Sequence, residues 1–173
     1  MATETFRGEH YLKVDSKGRV MLPAPFRHVF QLTDKPSEGA GFQMLLVYGG
    51  SNRSFVEGYT QAGAEELDRR IAQLPMGSRE YMLANAIFIE RSVLVETDKD
   101  GRFSPPPQVR EKLGLGKEEV ELAFIGSRNA FRIWRADTYR AERQAEIEAQ
   151  EAELLGTSGG ASSDPLSLLM HTS

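Results

Sequence analysis

The sequence predicts an α+β chain assembled as a tandem repeat, and three observations carry that prediction. First, one irregular phrase is spelled twice, as VDSKGRVMLPAPFR from Val14 and as TDKDGRFSPPPQVR from Thr97. Asp15/Asp98, Gly18/Gly101, Arg19/Arg102, Pro23/Pro106 and Arg27/Arg110 fall in register at an offset of 83 residues (98 − 15). Second, short stretches before and after each phrase alternate apolar and polar residues, the period of half-buried strands. Third, apolar residues elsewhere recur three and four apart, the stripe of helices packed on a core.

In order along the chain, EHYLKVD alternates Leu12 and Val14 against Lys13 and Asp15 and reads as a strand. SKG is a turn in which Gly18 is free to take a positive φ. RVML returns as a strand ended by PAP, whose prolines cannot donate to a ladder. With Ser16–Gly18 as a three-residue hairpin loop, Asp15 faces Arg19, Val14 faces Val20 and Leu12 faces Leu22. One face is then apolar and turned inward, while Lys13, Asp15, Arg19 and Met21 face out. Pro25 opens a short helix with Phe26, Val29 and Phe30 on one stripe. Strands follow at Phe42–Tyr48 and Phe55–Tyr59. A helix carries Ala64, Leu67, Ile71 and Leu74, and Ser78 caps another through about Ile89.

Copy two follows the same plan: SVLVETD as strand, KDG as turn, RFS as a shortened return, PPQVREKLGL as a helix stopped at Gly114, then EVELAFIG and AFRIWR as strands. Phe55 aligns with Phe131 and Gly50 with Gly126 at an offset of 76, which makes the second loop seven residues shorter. Asp137 caps a long closing helix with a thin stripe of Tyr139, Ile147 and Leu154, stopped by Gly156. GTSGGASSDP is flexible by composition, and LSLLM reads as a frayed terminus or a docking segment.

Composition is that of an ordinary soluble protein of 173 residues, 40% hydrophobic and 27% charged. The apolar runs are too short to cross a bilayer, and the start lacks the build of a signal peptide. Cysteine is absent, and His10, His28 and His171 are scattered, so no thiolate or metal chemistry is expected. A P-loop, a nucleophile elbow and a dinucleotide fingerprint are missing. The net charge of −4 hides a polarity. From Ala136 onward there are seven acids and two arginines, whereas residues 1–30 hold five bases and three acids. Nucleic-acid binding needs a local basic face rather than a basic total.

The Asp-x-x-x-Arg unit makes physical sense as a positioning device. Across a tight turn, Asp15 can hold the Arg19 guanidinium while its oxygens accept turn amides, which aims a planar cationic fork outward. Such a fork suits phosphates and guanine edges. A carboxylate beside a guanidinium has a lowered pKa and makes a poor base, which argues against an enzyme. The plainer reading is a surface ion pair worth about 0–1 kcal/mol; the second copy, with the same flanking residues, favours a working site.

These residues resemble the MraZ family of bacterial regulators, which carry a duplicated AbrB-like swapped-hairpin domain. The likeness spans roughly Phe6–Glu153 and rests on FRGEHYLKVDSKGRVMLP, the paired motifs, SREYMLANAI and FIGSRNAFRIWRADTY. It implies a pseudo-twofold β-barrel core from two tandem AbrB-like swapped-hairpin repeats, with flanking helices. Residues 6–76 would be the first half-module, 77–155 the second with its C-terminal helix, and 156–173 a flexible tail. It implies head-to-tail rings of identical chains that bind double-stranded DNA at short direct repeats upstream of their own division and cell-wall gene cluster, usually as repressors. Arg19 and Arg102 would contact DNA, with Asp15 and Asp98 as orienters and Gly18 and Gly101 in the turns. Lys13, Lys17 and Lys99 would add charge. No cofactor, membrane or small-molecule substrate is implied, and the location would be cytoplasmic and nucleoid-associated. Copy two departs from the pattern: FSPPP replaces VMLP, Asp100 stands for Lys17 and Glu96 for Lys13, so copy one is expected to carry more of the binding. The rival reading on the same fold is an antitoxin-like protein-interaction module.

Overall fold

The computed structural model describes residues 4–156 and 164–170. His171, part of GTSGGASSDP and the chain's last residues lie outside them. The chain divides into two compact units, Met1–Ala136 and Asp137–Ser173.

The first unit is α+β. Its strands are β1 (Glu9–Lys13), β2 (Val20–Met21), β3 (Gln43–Val47), β4 (Val56–Tyr59), β5 (Ser92–Glu96), β6 (Arg102–Phe103), β7 (Glu121–Ser127) and β8 (Ala130–Arg135). Its helices are α1 (Ala24–Asp34), α2 (Gln61–Ala72), α3 (Arg79–Asn85), which continues as a π turn over Ala86–Glu90, and α4 (Pro107–Leu113). Sequence signals explain most of these limits. In α1 the expected stripe of Phe26, Val29 and Phe30 is the buried one. Thr60 caps α2 by accepting the Gly63 N–H, and Ser78 caps α3 by accepting the Tyr81 N–H. Gly114 ends α4 in the left-handed conformation, φ +66°.

Six strands form one antiparallel sheet in the order β1-β7-β8-β4-β3-β5, and β2 pairs with β6 in a separate ladder. Exchanging the copies (β1 with β5, β2 with β6, β3 with β7, β4 with β8) turns this order into its own reverse. Each copy's first strand extends the other copy's hairpin. Val20 pairs with Phe103, its own counterpart in the repeat. The core lies on one side of the sheet, where Val14, Val20, Leu22, Phe26, Phe30, Phe103 and Phe131 are all buried in one cluster.

Several expectations need correction. The implied barrel is not closed by the strand pairings among the described residues: β1 and β5 are open edges. β2 and β6 are two residues each, and Pro23, Pro105 and Pro106 just beyond them cannot donate to lengthen the ladder. The local hairpin also closes at only one position, through the Asp15 N–H and the Arg19 carbonyl at 2.7 Å. Beyond it the strands part: Leu12 pairs with Leu122 rather than Leu22, and the Val14 N–H is taken by the Val120 carbonyl. The apolar set still turns inward as expected.

Finally, the alignment of Phe55 with Phe131 is out of step. Phe131 lies in the core, whereas Phe55 packs on Trp134 and carries the Arg53 and Arg132 guanidiniums over its ring. The ladder registers carry β3 onto β7 by 78 residues, so Val47 matches Ile125. Val47 pairs with Glu57 in one hairpin and Ile125 with Arg132 in the other, so copy one is three residues longer there (57 − 47 against 132 − 125). The length difference is therefore shared between the loop after α1 and the β3–β4 hairpin.

After β8 the chain enters α5 (Ala136–Thr138), so Asp137 sits in the first turn instead of capping it. The second unit holds a π segment (Tyr139–Gln144), α6 (Ala145–Leu155) and a 3-10 helix over Pro165–Met170. LSLLM is therefore structured: Leu168 and Pro165 line a hollow of about 350 Å³ with Ile147, Leu154 and Leu155 of α6.

Candidate nucleic-acid interface

The two motif turns are built with the same bonds. In copy one, Asp15 Oδ1 accepts the backbone N–H groups of Lys17 and Arg19, both at 2.9 Å. The Gly18 N–H donates to the Asp15 carbonyl at 3.0 Å. In copy two, Asp98 Oδ1 accepts from Asp100 and Arg102, again at 2.9 Å, and the Gly101 N–H donates to the Asp98 carbonyl at 3.0 Å. Gly18 and Gly101 have φ of +79° and +91°, values that a side chain would strain. Each aspartate therefore closes its turn through the backbone first. The Arg19 N–H above all holds the Asp15 carboxyl below its usual range, and the Arg102 N–H does the same for Asp98.

The second carboxylate oxygen meets the arginine. Asp15 Oδ2 lies 3.4 Å from Arg19 Nε, and Asp98 Oδ2 lies 3.3 Å from Arg102 Nε. These are ionic contacts rather than hydrogen bonds: neither Nε has a hydrogen-bond partner among the described residues. The contact braces the root of each guanidinium. Arg19 remains 37% exposed and Arg102 40%, so the forks face solvent.

The β2–β6 ladder then brings the two copies together. Met21 pairs with Arg102, and cross-strand partners share a face. Arg19 lies two residues before Met21 and so falls on that face too. Val20 and Phe103, 2% and 3% exposed, fill the opposite, core-facing side. The two arginines are thus diagonal neighbours on one outward face, with backbones roughly 7–8 Å apart.

The copies differ at this face. Arg102 Nη2 also reaches Asp100 Oδ2 at 3.1 Å, an acid where copy one has Lys17. The Leu22 N–H donates to the Gly101 carbonyl at 2.8 Å, but the matching residue in copy two is Pro105, which has no N–H to return that bond. Lys17 and Lys99 are exposed at the tips of their turns, whereas Lys13 ends β1 opposite Glu121. Of the expected cations, Lys17 thus adjoins Arg19, and Lys13 is set back along the strand beside an acid.

Two further residues of the repeated phrase belong here, and sequence reading left them without a role. Arg27 of α1 donates through Nη1 to the Leu22 carbonyl at 3.1 Å and to the Asp100 carbonyl, in the other copy's turn, at 3.3 Å. A Cβ on Gly101 would fall on Arg27 Cδ. Arg110 of α4 donates to the Gly116 carbonyl, and its Nη1 stands 3.6 Å from where a Gly18 Cβ would be. Their recurrence in register with the Asp and Arg was the available signal.

The remaining charges form different chemistry. Glu57, 7% exposed, is held by Arg53 at 3.1 Å and Arg132 at 3.4 Å and accepts the Tyr59 hydroxyl, whose pKa is pushed up by burial. Among the described residues no group of three or more His, Asp or Glu side chains could hold a metal ion, and no helix is long and apolar enough to cross a membrane.

No family model matches the chain. It is 46% identical over 151 residues to a protein of Cereibacter sphaeroides named Transcriptional regulator MraZ, covering 84% of this chain and 88% of that one. Proteins of the same name from Ruegeria pomeroyi and Parvibaculum lavamentivorans are 39% and 34% identical. They cover 86% and 85% of this chain and 88% and 84% of their own lengths. The name describes a regulator, a non-enzymatic role. With that identity over most of its length, the chain belongs to the MraZ family.

Proposed function

We propose that this protein is a transcriptional regulator that binds double-stranded DNA sequence-specifically through the β2–β6 ladder. The observation that carries the reading is the pair of identically bonded turns on one outward face, each bracing an arginine. Arg19 and Arg102 contact the DNA, Asp15 and Asp98 orient them, Gly18 and Gly101 permit the turns, and Lys13, Lys17 and Lys99 attract phosphates. Residues 6–76 and 77–155 act as interleaved AbrB-like half-modules, and no cofactor takes part.

One chain offers few cations, so useful affinity requires several copies presented together. A head-to-tail ring would supply them, since a heterologous contact closes when its angle permits. Direct repeats upstream of the protein's own division and cell-wall cluster would meet successive copies, and occupancy there would repress transcription in a nucleoid-associated, cytoplasmic setting. Footprinting the wild-type protein on DNA upstream of its own gene tests this, alongside a reporter driven by that DNA. Protection of regularly spaced direct repeats, with reporter output falling as the protein is supplied, is the expected result. Uniform or absent protection by an intact oligomer would turn the reading toward a protein partner.

A further inference from the structure

We infer that Arg27 is a positioning residue that holds the other copy's DNA-facing turn, an inference that rests on the DNA-binding reading of that turn. Arg27 belongs to copy one, yet its guanidinium bridges the Leu22 carbonyl of its own copy and the Asp100 carbonyl of copy two. Its stem lies over Gly101, which is buried, whereas the matching Gly18 is half-exposed. Leu22 ties the same place from the backbone, its N–H donating to the Gly101 carbonyl. Arg27 thus clamps the segment whose amides place Arg102.

Arg110 makes the reciprocal approach more loosely. Its Nη1 stands 3.6 Å from where a Gly18 Cβ would be, but it is anchored at Gly116, with no carbonyl of the copy-one turn accepting from it among the described residues. The difference follows from the sequence. Pro105 has no N–H to give the Gly18 carbonyl of the copy-one turn, whereas the copy-two turn, where Asp100 competes for Arg102, receives both the Leu22 bond and the Arg27 clamp. A lysine at 27 would keep the charge but lose the planar fork that spans two carbonyls. The arginine twelve residues after the aspartate in copy one thus lets that copy's helix finish the other copy's turn.

Crossed coupling is the signature. In the full-length protein, DNA affinity is measured for Arg27→Ala, Arg102→Ala, Arg19→Ala and the doubles. Arg27→Ala should weaken binding, with most of that loss absent when Arg102 is already alanine, a coupling of roughly tenfold. With Arg19→Ala, which lies in the same copy as Arg27, its effect should simply add. Coupling to Arg19 instead, or none to Arg102, would overturn the inference. A second readout needs no DNA: amide exchange at Gly101 and Arg102 should quicken in Arg27→Ala while Gly18 and Arg19 stay protected. Uniform quickening across both turns would mean general loosening and would overturn it as well. Arg27→Lys, retaining charge and bulk, should sit between wild type and alanine and serves in place of alanine if that variant does not fold. If the wild type binds no DNA, the functional reading fails and the exchange data still decide the clamp.

Discussion

Asp15 and Asp98 each divide their work between two oxygens, one for the turn amides and one for the arginine. Asp15→Asn keeps the amide acceptor and loses the ionic contact, whereas Asp15→Ala loses both. DNA affinity should therefore fall less in the asparagine variant; equal losses would assign the orienting role to charge alone. Because both aspartates have pKa values lowered by folding, what they add to stability is fully present above the unfolded value of about 3.9. It is lost as pH falls through the lower folded values. Amide shifts of Lys17 and Arg19 followed by NMR should thus stay constant from pH 8 to 5 and move only in stronger acid. The arginines differ in freedom. Arg102 answers to two carboxylates and Arg19 to one. Arg19→Ala should cost about 1–3 kcal/mol of binding, and Arg102→Ala less. Replacing the competing acid, Asp100→Lys, should tighten binding and steepen its salt dependence by about one phosphate.

At the scale of elements, several helices and one cap were plain in the sequence, whereas Asp137, read as a cap, lies inside the first turn of its helix. The Phe26, Val29 and Phe30 stripe, the Ser78 cap and the Gly114 stop are local signals, and local physics suffices to read them. Strand partners were not legible. Alternation makes Leu12 a core residue, but Leu22 and Leu122 are equally apolar partners, and only the fold selects Leu122. The misaligned Phe55 shows the same limit: a strand's residue types do not reveal a three-residue difference in its hairpin. Phe131 is the element-scale keystone. Its ring meets Phe6 at 5.0 Å, Phe26 at 5.2 Å, Phe30 at 6.2 Å and Phe124 at 6.4 Å, and it pairs with Gly58, which leaves room for the ring. Phe131→Ala should lower stability by about 3–5 kcal/mol, read from urea unfolding.

For the molecule as a whole, the interleaving lies in the first unit, where the two copies share one sheet and are expected to unfold together. β1 completes the hairpin of copy two and β5 that of copy one, and the β2–β6 ladder joins the motif turns. Thermal unfolding should show one midpoint by far-UV circular dichroism and by fluorescence of Trp134, the single tryptophan, which lies in β8. Separate midpoints would mean that the copies fold independently. The motif residues were legible because they recur in register. Their convergence on one face was not, because it depends on pairing between residues more than eighty positions apart. If Arg19, braced on that face, reads DNA as proposed, its loss must cost both affinity and selectivity. Fluorescence anisotropy on DNA from upstream of the protein's own gene, across a salt titration, tests it most directly against a scrambled duplex and the Arg19→Ala variant. Expected are selective wild-type binding that falls steeply with salt and a variant that loses both affinity and selectivity. Selective binding left unchanged by Arg19→Ala would contradict that reading and put the contact surface elsewhere.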